Sequence, residues 1–397
     1  MKPLTEPLPR IEDFVKHPTF STPRPLTQFK QTDQITFRVA RGEVEVDNKE
    51  INPTTPPPHP LDRTVFGPFM LRAHLWKVCE PKPLPWKVNV TDAKKMSAHI
   101  KETAKYLGAD LVGIADLYEA FAFADDRNAE PIDLASYKYA VVMAREMDYE
   151  RVRTTPSWFA HIEDGQTYQE CAILATQLAI YITQLGYAAR ASCAGNDVVM
   201  HVPHAVYAGL GELSRIGIMI TKKYGPRVRL CTVVTDLPLE VDHPIDLNVG
   251  HFCEICRKCV TKCPSGAIAA KGKTEVRGVL KWKADDLACY RYWRKDPMKW
   301  QACIRCVSVC PWSKPHTAFH QTIAGIVAKN PSSHRFMVFV DEVFYGRKPK
   351  QTAIPSGFND YRTNKEDFMK MVHDLALNVG MLTPDKNISE GRSKNAN

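Results

Sequence analysis

The sequence predicts an α+β chain, a mixed core of helices and strands into which a small cysteine-rich module is inserted. Three observations lead there. Helical and strand-like segments alternate from Thr91 to about residue 245, eight of the 12 cysteines fall between 253 and 310, and 15 of the 29 prolines lie in the first 85 residues. The chain therefore divides into a proline-rich arm (1–90), an α/β core (91–245), a cysteine-rich domain (246–320) and a closing helical or loop segment (321–397). At 397 residues it is long enough for roughly two or three domains and a sizeable core. Its 44% hydrophobic and 24% charged residues exclude wholesale disorder.

Each element has a local reason. The run Pro56, Pro57, Pro58 and Pro60 lacks amide protons, so the arm reads as an extended wrap or lid. Thr91 or Asp92 can cap a helix to about Leu107, Gly108 can end it, and Leu111 to Ala115 reads as a strand. A second helix is expected from about Gln166 to Leu185, with Ile173, Leu174, Leu178, Ile182 and Leu185 at helical spacing and Gly186 as terminator. Strands are expected at Ala188 to Cys193, Ile216 to Thr221 and Val228 to Val234, with a helical stretch around Ala205 to Leu213. Gly209-Leu-Gly211-Glu-Leu-Ser214 has two glycines of a dinucleotide fingerprint and a serine in place of the third, so it reads as a helix end and turn. Thr317 to Lys329 and Lys365 to Leu377 look helical, and the closing segment would complete the core and a substrate pocket.

The cysteines carry the strongest chemical signal. Cys253, Cys256, Cys259 and Cys263-Pro264 follow the spacing that wraps a cubane of four irons and four sulfurs, with the fourth thiolate turned to a second cluster. Cys289 stands before Cys303, Cys306 and Cys310-Pro311, which repeat the tight end of the pattern. The swapped fourth ligand assigns Cys253, Cys256, Cys259 and Cys310 to one 4Fe-4S cluster and Cys263, Cys289, Cys303 and Cys306 to the other. Disulfides suit this chain poorly without an export signal, and zinc sites use pairs of Cys-x-x-Cys rather than three evenly spaced thiolates. Cys79, Cys171, Cys193 and Cys231 have no ligand spacing and read as small buried hydrophobes. Two clusters make an internal ferredoxin of the bacterial type, and the rest of the chain is large enough for a second redox centre.

With these motifs the chain resembles the catalytic subunit of the cobalamin-dependent reductive dehalogenases over about residues 160 to 320. Besides the cluster motifs, the likeness rests on Cys289-Tyr-Arg-Tyr-Trp293, Cys310-Pro-Trp312-Ser-Lys314, Gly209-Leu-Gly-Glu-Leu-Ser-Arg215-Ile-Gly217, Tyr224-Gly-Pro-Arg-Val-Arg-Leu230 and Thr235-Asp-Leu-Pro238. The resemblance implies a nitroreductase-like core holding a base-off corrinoid, which agrees with the lack of an Asp-x-His-x-x-Gly motif. It also implies exchange of a carbon–halogen bond for carbon–hydrogen with two electrons and a proton. The family's proton donor matches Tyr168, at the expected helix start; its supporting residues match Asn196 and Arg229, with Arg227 the neighbour two positions away. A phenol with a pKa near ~10 can protonate a carbanion-like carbon, and a guanidinium can stabilise the phenolate left behind. Asn196 could instead shape a turn with Gly195. Trp300 is a candidate wall of an apolar halocarbon pocket, among tryptophans (Trp282, Trp293, Trp312) that could also shield the clusters.

Two other readings compete with this one: an epoxyqueuosine-reductase-like enzyme acting on transfer RNA, and a ferredoxin-like carrier without a corrinoid. The charge helps to choose. From Cys253 to Lys314 there are 14 Lys or Arg against 5 Asp or Glu, a surplus of +9 that equals that of the whole chain. Two oxidised clusters of about −2 each offset about four of these charges. The remainder suits an acidic electron donor such as a flavodoxin or ferredoxin better than nucleic acid. The other expected partners are a small halogenated substrate and, for a homodimer, a second copy. No apolar run reaches the ~20 residues of a membrane span, and no twin-arginine signal appears. As the sequence stands a cytoplasmic enzyme is expected, the alternative being a mature exported form.

Overall fold

A computed structural model of the chain describes residues 28–44, 68, 71–295 and 303–346. Helix α1 (Ile35–Ala40) belongs to the arm, and α2 (Ala93–Tyr106) opens the core with its Asp92 side chain accepting from the Lys95 amide. Strands β1 (Leu111–Asp116) and β2 (Tyr139–Glu146) follow, then α3 (Tyr149–Val152) and the long α4 (Trp158–Gln184). After β3 (Ala189–Ser192) come α5 (His201–Tyr207), the short β4 (Glu212–Leu213) and β5 (Met219–Ile220), and β6 (Val228–Thr235). The cysteine-bearing part contains α6 (Val249–Cys256), α7 (Lys258–Lys262), the hairpin β7 (Thr274–Val276) and β8 (Val279–Lys281), α8 (Asp286–Lys295) and α9 (Arg305–Ser308). Helices α10 (Ala318–Lys329) and α11 (His334–Tyr345) close the described chain.

The core is one antiparallel sheet in the order β1-β2-β6-β3, covered on both faces. Strand β2 alternates its side chains between the two layers. Val141 and Met143 meet Leu174, Leu178 and Ile182 of α4 and Ile100 of α2, while Ala140, Val142 and Ala144 meet Ala205 and Val206 of α5. Each fully buried Leu or Ile there contributes about 1.5–3 kcal/mol. Burial on both sides explains why β2 escaped the sequence analysis, since its continuous apolar run shows no polar alternation.

Three expected elements differ from those observed. Helix α4 starts at Trp158, capped by Ser157, and not at Gln166, so Tyr168 lies well inside it rather than at its start. Residues 161–167 include His161, Glu163, Asp164, Gln166 and Thr167, a polar stretch that hides the helical period. The helix expected at Ala205 to Leu213 is shifted to His201–Tyr207, because Pro203 is tolerated in a first turn and Gly209, at φ +71°, ends it. The strand expected at Ile216 to Thr221 shrinks to β5, since Gly217 takes φ +78°.

Two buried arginines attach the cysteine-bearing segment to the core. Arg215 donates to the carbonyls of Cys253 (3.0 Å) and Ala269 (2.8 Å), and Arg227 joins Glu146 of β2 (2.8 Å) to the Lys314 carbonyl (2.8 Å). Glu212 accepts from the amides of Leu247 (2.6 Å) and Val249 (3.1 Å) at the start of α6. Helices α10 and α11 pack on this segment through Ile323, Val327, Ala328 and Met337, against Val249, Phe252 and Trp312. Among the described residues no helix is long and apolar enough to cross a membrane. The helix expected at Lys365 to Leu377 lies outside the described residues.

Candidate active site

The helices α6 and α7 exist to bring thiols together. Cys253 and Cys256 sit three apart on one face of α6, and Arg257 in a left-handed conformation (φ +51°) turns the chain so that Cys259 on α7 joins them. Cys310, distant in sequence, feels the charges of Cys253, Cys256 and Cys259. Cys306 feels Cys303, Cys259, Cys289 and Cys263, and Cys289 feels Cys303 and Cys263. The eight cysteines thus lie within electrostatic reach of one another, Cys259 facing both Cys253 and Cys306.

Burial pushes the thiols of Cys253, Cys259 and Cys306 up to about 12 and those of Cys256 and Cys289 up to about 11. Cys310 is driven well above its ordinary value for the same reason. Cys263 differs. Burial raises it, but the Ser265 hydroxyl and nearby backbone amides more than offset that and leave it lowered. Thiolates in such surroundings require a cationic centre. Among the described residues no three His, Cys, Asp or Glu side chains converge on a single-ion site. A cubane takes one thiolate on each of four separate irons, so this donor set fits a cluster better than zinc. The remaining cysteines, Cys79, Cys171, Cys193 and Cys231, are free and buried in the core.

A cavity of about 830 Å³ opens between the core and the cysteine-bearing segment. Its core wall includes Tyr168 of α4, His201 of α5 and Arg229 of β6, and its far wall comes from the β7–β8 hairpin and Trp282. Phe29, Asp33 and Arg38 of the arm also line it, held by Arg277, which pairs with Asp33 at 2.8 Å and lies 4.3 Å over the Phe29 ring. None of the lining comes from residues 303–346, so the substrate-pocket role expected for 321–397 has no counterpart in the described part of that segment. Trp300 lies outside the described residues.

Tyr168 and Arg229 are neighbours, with the guanidinium 4.6 Å from the ring centroid. Arg227 is elsewhere, 5.4 Å over Tyr149 and paired with Glu146. It precedes β6, so the two arginines do not share a strand face as a slip of two would require. Asn196 donates to the Cys79 sulfur (2.9 Å), its amide closes a turn onto the Cys193 carbonyl (2.8 Å), and it is not among the residues lining the cavity.

Sequence reasoning missed four charged or titratable neighbours. Asp164 forms a close ion pair with Arg229, and Arg72 lies 5.6 Å from the Tyr168 centroid. Asp197 acts electrostatically on Tyr168 and accepts from His201 Nε2 at 2.8 Å, while His201 Nδ1 meets the Thr232 hydroxyl at 2.9 Å. The polar stretch 161–167 was the available signal for Asp164; Arg72 and Asp197 had none. The strongest influence on Tyr168 is Arg229, which lowers its pKa, but burial, Asp164 and Asp197 outweigh the two arginines and leave the phenol above its ordinary value. Burial works against the charge of Arg229, yet Asp164 and Tyr168 hold it firmly protonated.

Comparison with known proteins agrees with this arrangement. Residues 252–314 match the 4Fe-4S dicluster domain. The tetrachloroethene reductive dehalogenase of Dehalobacter restrictus is 33% identical over 298 residues, covering 62% of this chain and 52% of the relative. That of Sulfurospirillum multivorans is 29% identical over 346 residues, or 77% and 68% of the two chains. A solved structure of the catabolic reductive dehalogenase NpRdhA, in complex with 3-bromo-4-hydroxybenzoic acid, superposes with a TM-score of 0.77 at 29% identity, covering 84% of this chain and 49% of that one. The chain spans about half the length of the first of these relatives and of NpRdhA. Taken with the cysteine spacing, these comparisons show a chain that is similar to the reductive dehalogenases in sequence and in fold.

Proposed function

We propose that the chain is an oxidoreductase that replaces a carbon–halogen bond of a small organic compound by carbon–hydrogen at a corrinoid, with electrons arriving through two 4Fe-4S clusters. The observation that carries this reading is the cavity, which has a half-buried tyrosine–arginine pair on one wall and the cysteine-bearing segment on the other. Cys253, Cys256, Cys259 and Cys310 would hold one cluster and Cys263, Cys289, Cys303 and Cys306 the other.

The residues present fit a corrinoid. The cavity's volume falls near the upper end of the ~300–1,000 Å³ usual for small-molecule sites. Val202, Ile216, Met219, Val276, Val279 and Trp282 offer it an apolar wall, and Arg38, Lys281 and Lys283 face the same space. Both ring nitrogens of His201, a histidine of the lining, are already engaged. That supports a base-off corrinoid without a histidine ligand, in a nitroreductase-like core. When bound, the group would supply the two-electron reduction of the carbon–halogen bond; a similar solved reductive dehalogenase is described as suggesting a mechanism for B12-dependent dehalogenation. The chain's own part is to exclude water, orient the substrate and deliver a proton. Tyr168 is the donor: its O–H bond breaks as the new C–H bond forms, and Arg229 meets the charge left on the oxygen.

Anaerobic reconstitution with iron, sulfide and cobalamin, followed by halide release from a panel of halogenated compounds, tests the proposal. Tyr168→Phe is expected to lower halide release by about 10²- to 10⁴-fold. Lack of corrinoid uptake would overturn the enzyme assignment, and undiminished release from Tyr168→Phe would remove the tyrosine from the mechanism.

A further inference from the structure

The surroundings of Tyr168 pose a charge problem. A proton donor must keep its proton until the carbon takes it, yet Arg229 and Arg72 stand 4.6 Å and 5.6 Å from its ring centroid. Two cations at that range favour the phenolate, which cannot donate. Asp164 lies one helical turn before Tyr168 on α4, on the same face, and reaches across to Arg229 of β6. The side chains of Arg229 and Asp164 are only 14% and 11% exposed, so solvent screens the pair little.

We propose that Asp164 is a positioning residue that keeps Tyr168 in its protonated form, by neutralising Arg229 and fixing the guanidinium over the phenol ring. This rests on the reading of Tyr168 as proton donor. The charged groups that act on Tyr168 come from four places: Asp164 on α4, Arg229 on β6, Arg72 before α2 and Asp197 after β3. Two cations thus face two carboxylates. His161, one turn earlier on α4, also feels Asp164 and is held below its ordinary range by burial. Arg229 alone would pull the phenol down, and Asp164 is the nearer of the two compensating carboxylates to that guanidinium, being bonded to it. The same pair serves both halves of a turnover. Before transfer the carboxylate offsets the guanidinium; after transfer the phenolate oxygen gains a negative charge that Arg229 meets, until a solvent proton restores the O–H bond.

The test is a phenolate titration of the reconstituted holoenzyme by ultraviolet difference absorption, with Tyr168→Phe in each background as the blank that removes cluster and other tyrosine signals. In Asp164→Asn, Tyr168 should ionise at lower pH than in the wild type, and the alkaline limb of the halide-release profile should move down by the same interval. Asp164→Glu should restore the wild-type titration. Arg229→Gln should move it the other way, and a loosened fold would not produce opposite shifts from the two partners of one ion pair. The proposal is overturned if Asp164→Asn leaves the Tyr168 titration in place or raises it. If Tyr168→Phe releases halide at the wild-type rate while the titration shifts as stated, the donor assignment falls and the charge role of Asp164 stands.

Discussion

Asp341 of α11 is the point at which the closing helices grip the cluster-bearing segment, and its removal should show how much that grip is worth. Its carboxylate lies between two ammonium groups: Lys258, between Cys256 and Cys259, in close contact, and Lys314, just after Cys310, at 2.5 Å. The side chains of Asp341, Lys258 and Lys314 are 7%, 9% and 17% exposed. Lys314 is also 3.6 Å above the Tyr345 ring. Asp341→Ala would leave two like charges buried together, and breaking a buried pair costs about 3–5 kcal/mol. Burial already pulls Lys314 below its ordinary pKa while Asp341 opposes it. Without the carboxylate this lysine can shed its proton, so the lower end of that range is expected. At about 1–2 °C per kcal/mol for a chain of this size, the unfolding midpoint should fall by roughly 3–6 °C. The assay is thermal unfolding of the reconstituted protein at a fixed scan rate, read by cluster absorption and circular dichroism together. Lys258→Met with Lys314→Met and Asp341→Leu, an apolar replacement of the whole triad, should recover most of the loss. A shift below about 2 °C in Asp341→Ala, or a triple variant weaker than the single one, would refute the electrostatic account.

Other outcomes follow from single contacts. His204 is fully buried, accepts from the Tyr118 amide (3.3 Å), bonds the Met200 carbonyl (2.9 Å), and is pushed down to about 4, chiefly by burial. Its folded pKa is below the unfolded ~6.5, so its contribution is complete above pH ~6.5 and is lost as pH falls towards 4, by about 3 kcal/mol; a stability profile that keeps this slope in His204→Asn would contradict the assignment. Gly225 sits at φ +60°, and a Cβ there would lie 2.1 Å from the Trp312 carbonyl oxygen. Gly225→Ala should therefore cost more than the ~1–2 kcal/mol of the left-handed conformation alone and loosen the cluster segment from the core, visible as faster iron loss to a chelator. Cys310→Ser should halve the iron from about eight to about four per chain and spare one cluster's paramagnetic signal; loss of both, or of neither, would contradict the grouping of Cys310 with Cys253, Cys256 and Cys259.

Much of this molecule was legible in the amino-acid order wherever a local rule sufficed. The α2 cap at Asp92, the strand at β1 and the apolar stripe of α4 each depend on residues a few positions apart. The cysteine spacing is local for the same reason, because a cluster needs thiolates at fixed short intervals along one turn of chain. What local rules could not reach were the partnerships between distant segments. Nothing in Val-Arg-Leu states that Arg229 meets Tyr168 while Arg227 turns to Glu146 and Lys314; that follows from where β6 begins beside β2. Asp164 lies in the polar stretch that hides the helical period ahead of Gln166. Only the packing of α4 on β6 turned it into the counter-charge of the site, because an ion pair is set by distance in space and the sequence order carries no measure of it.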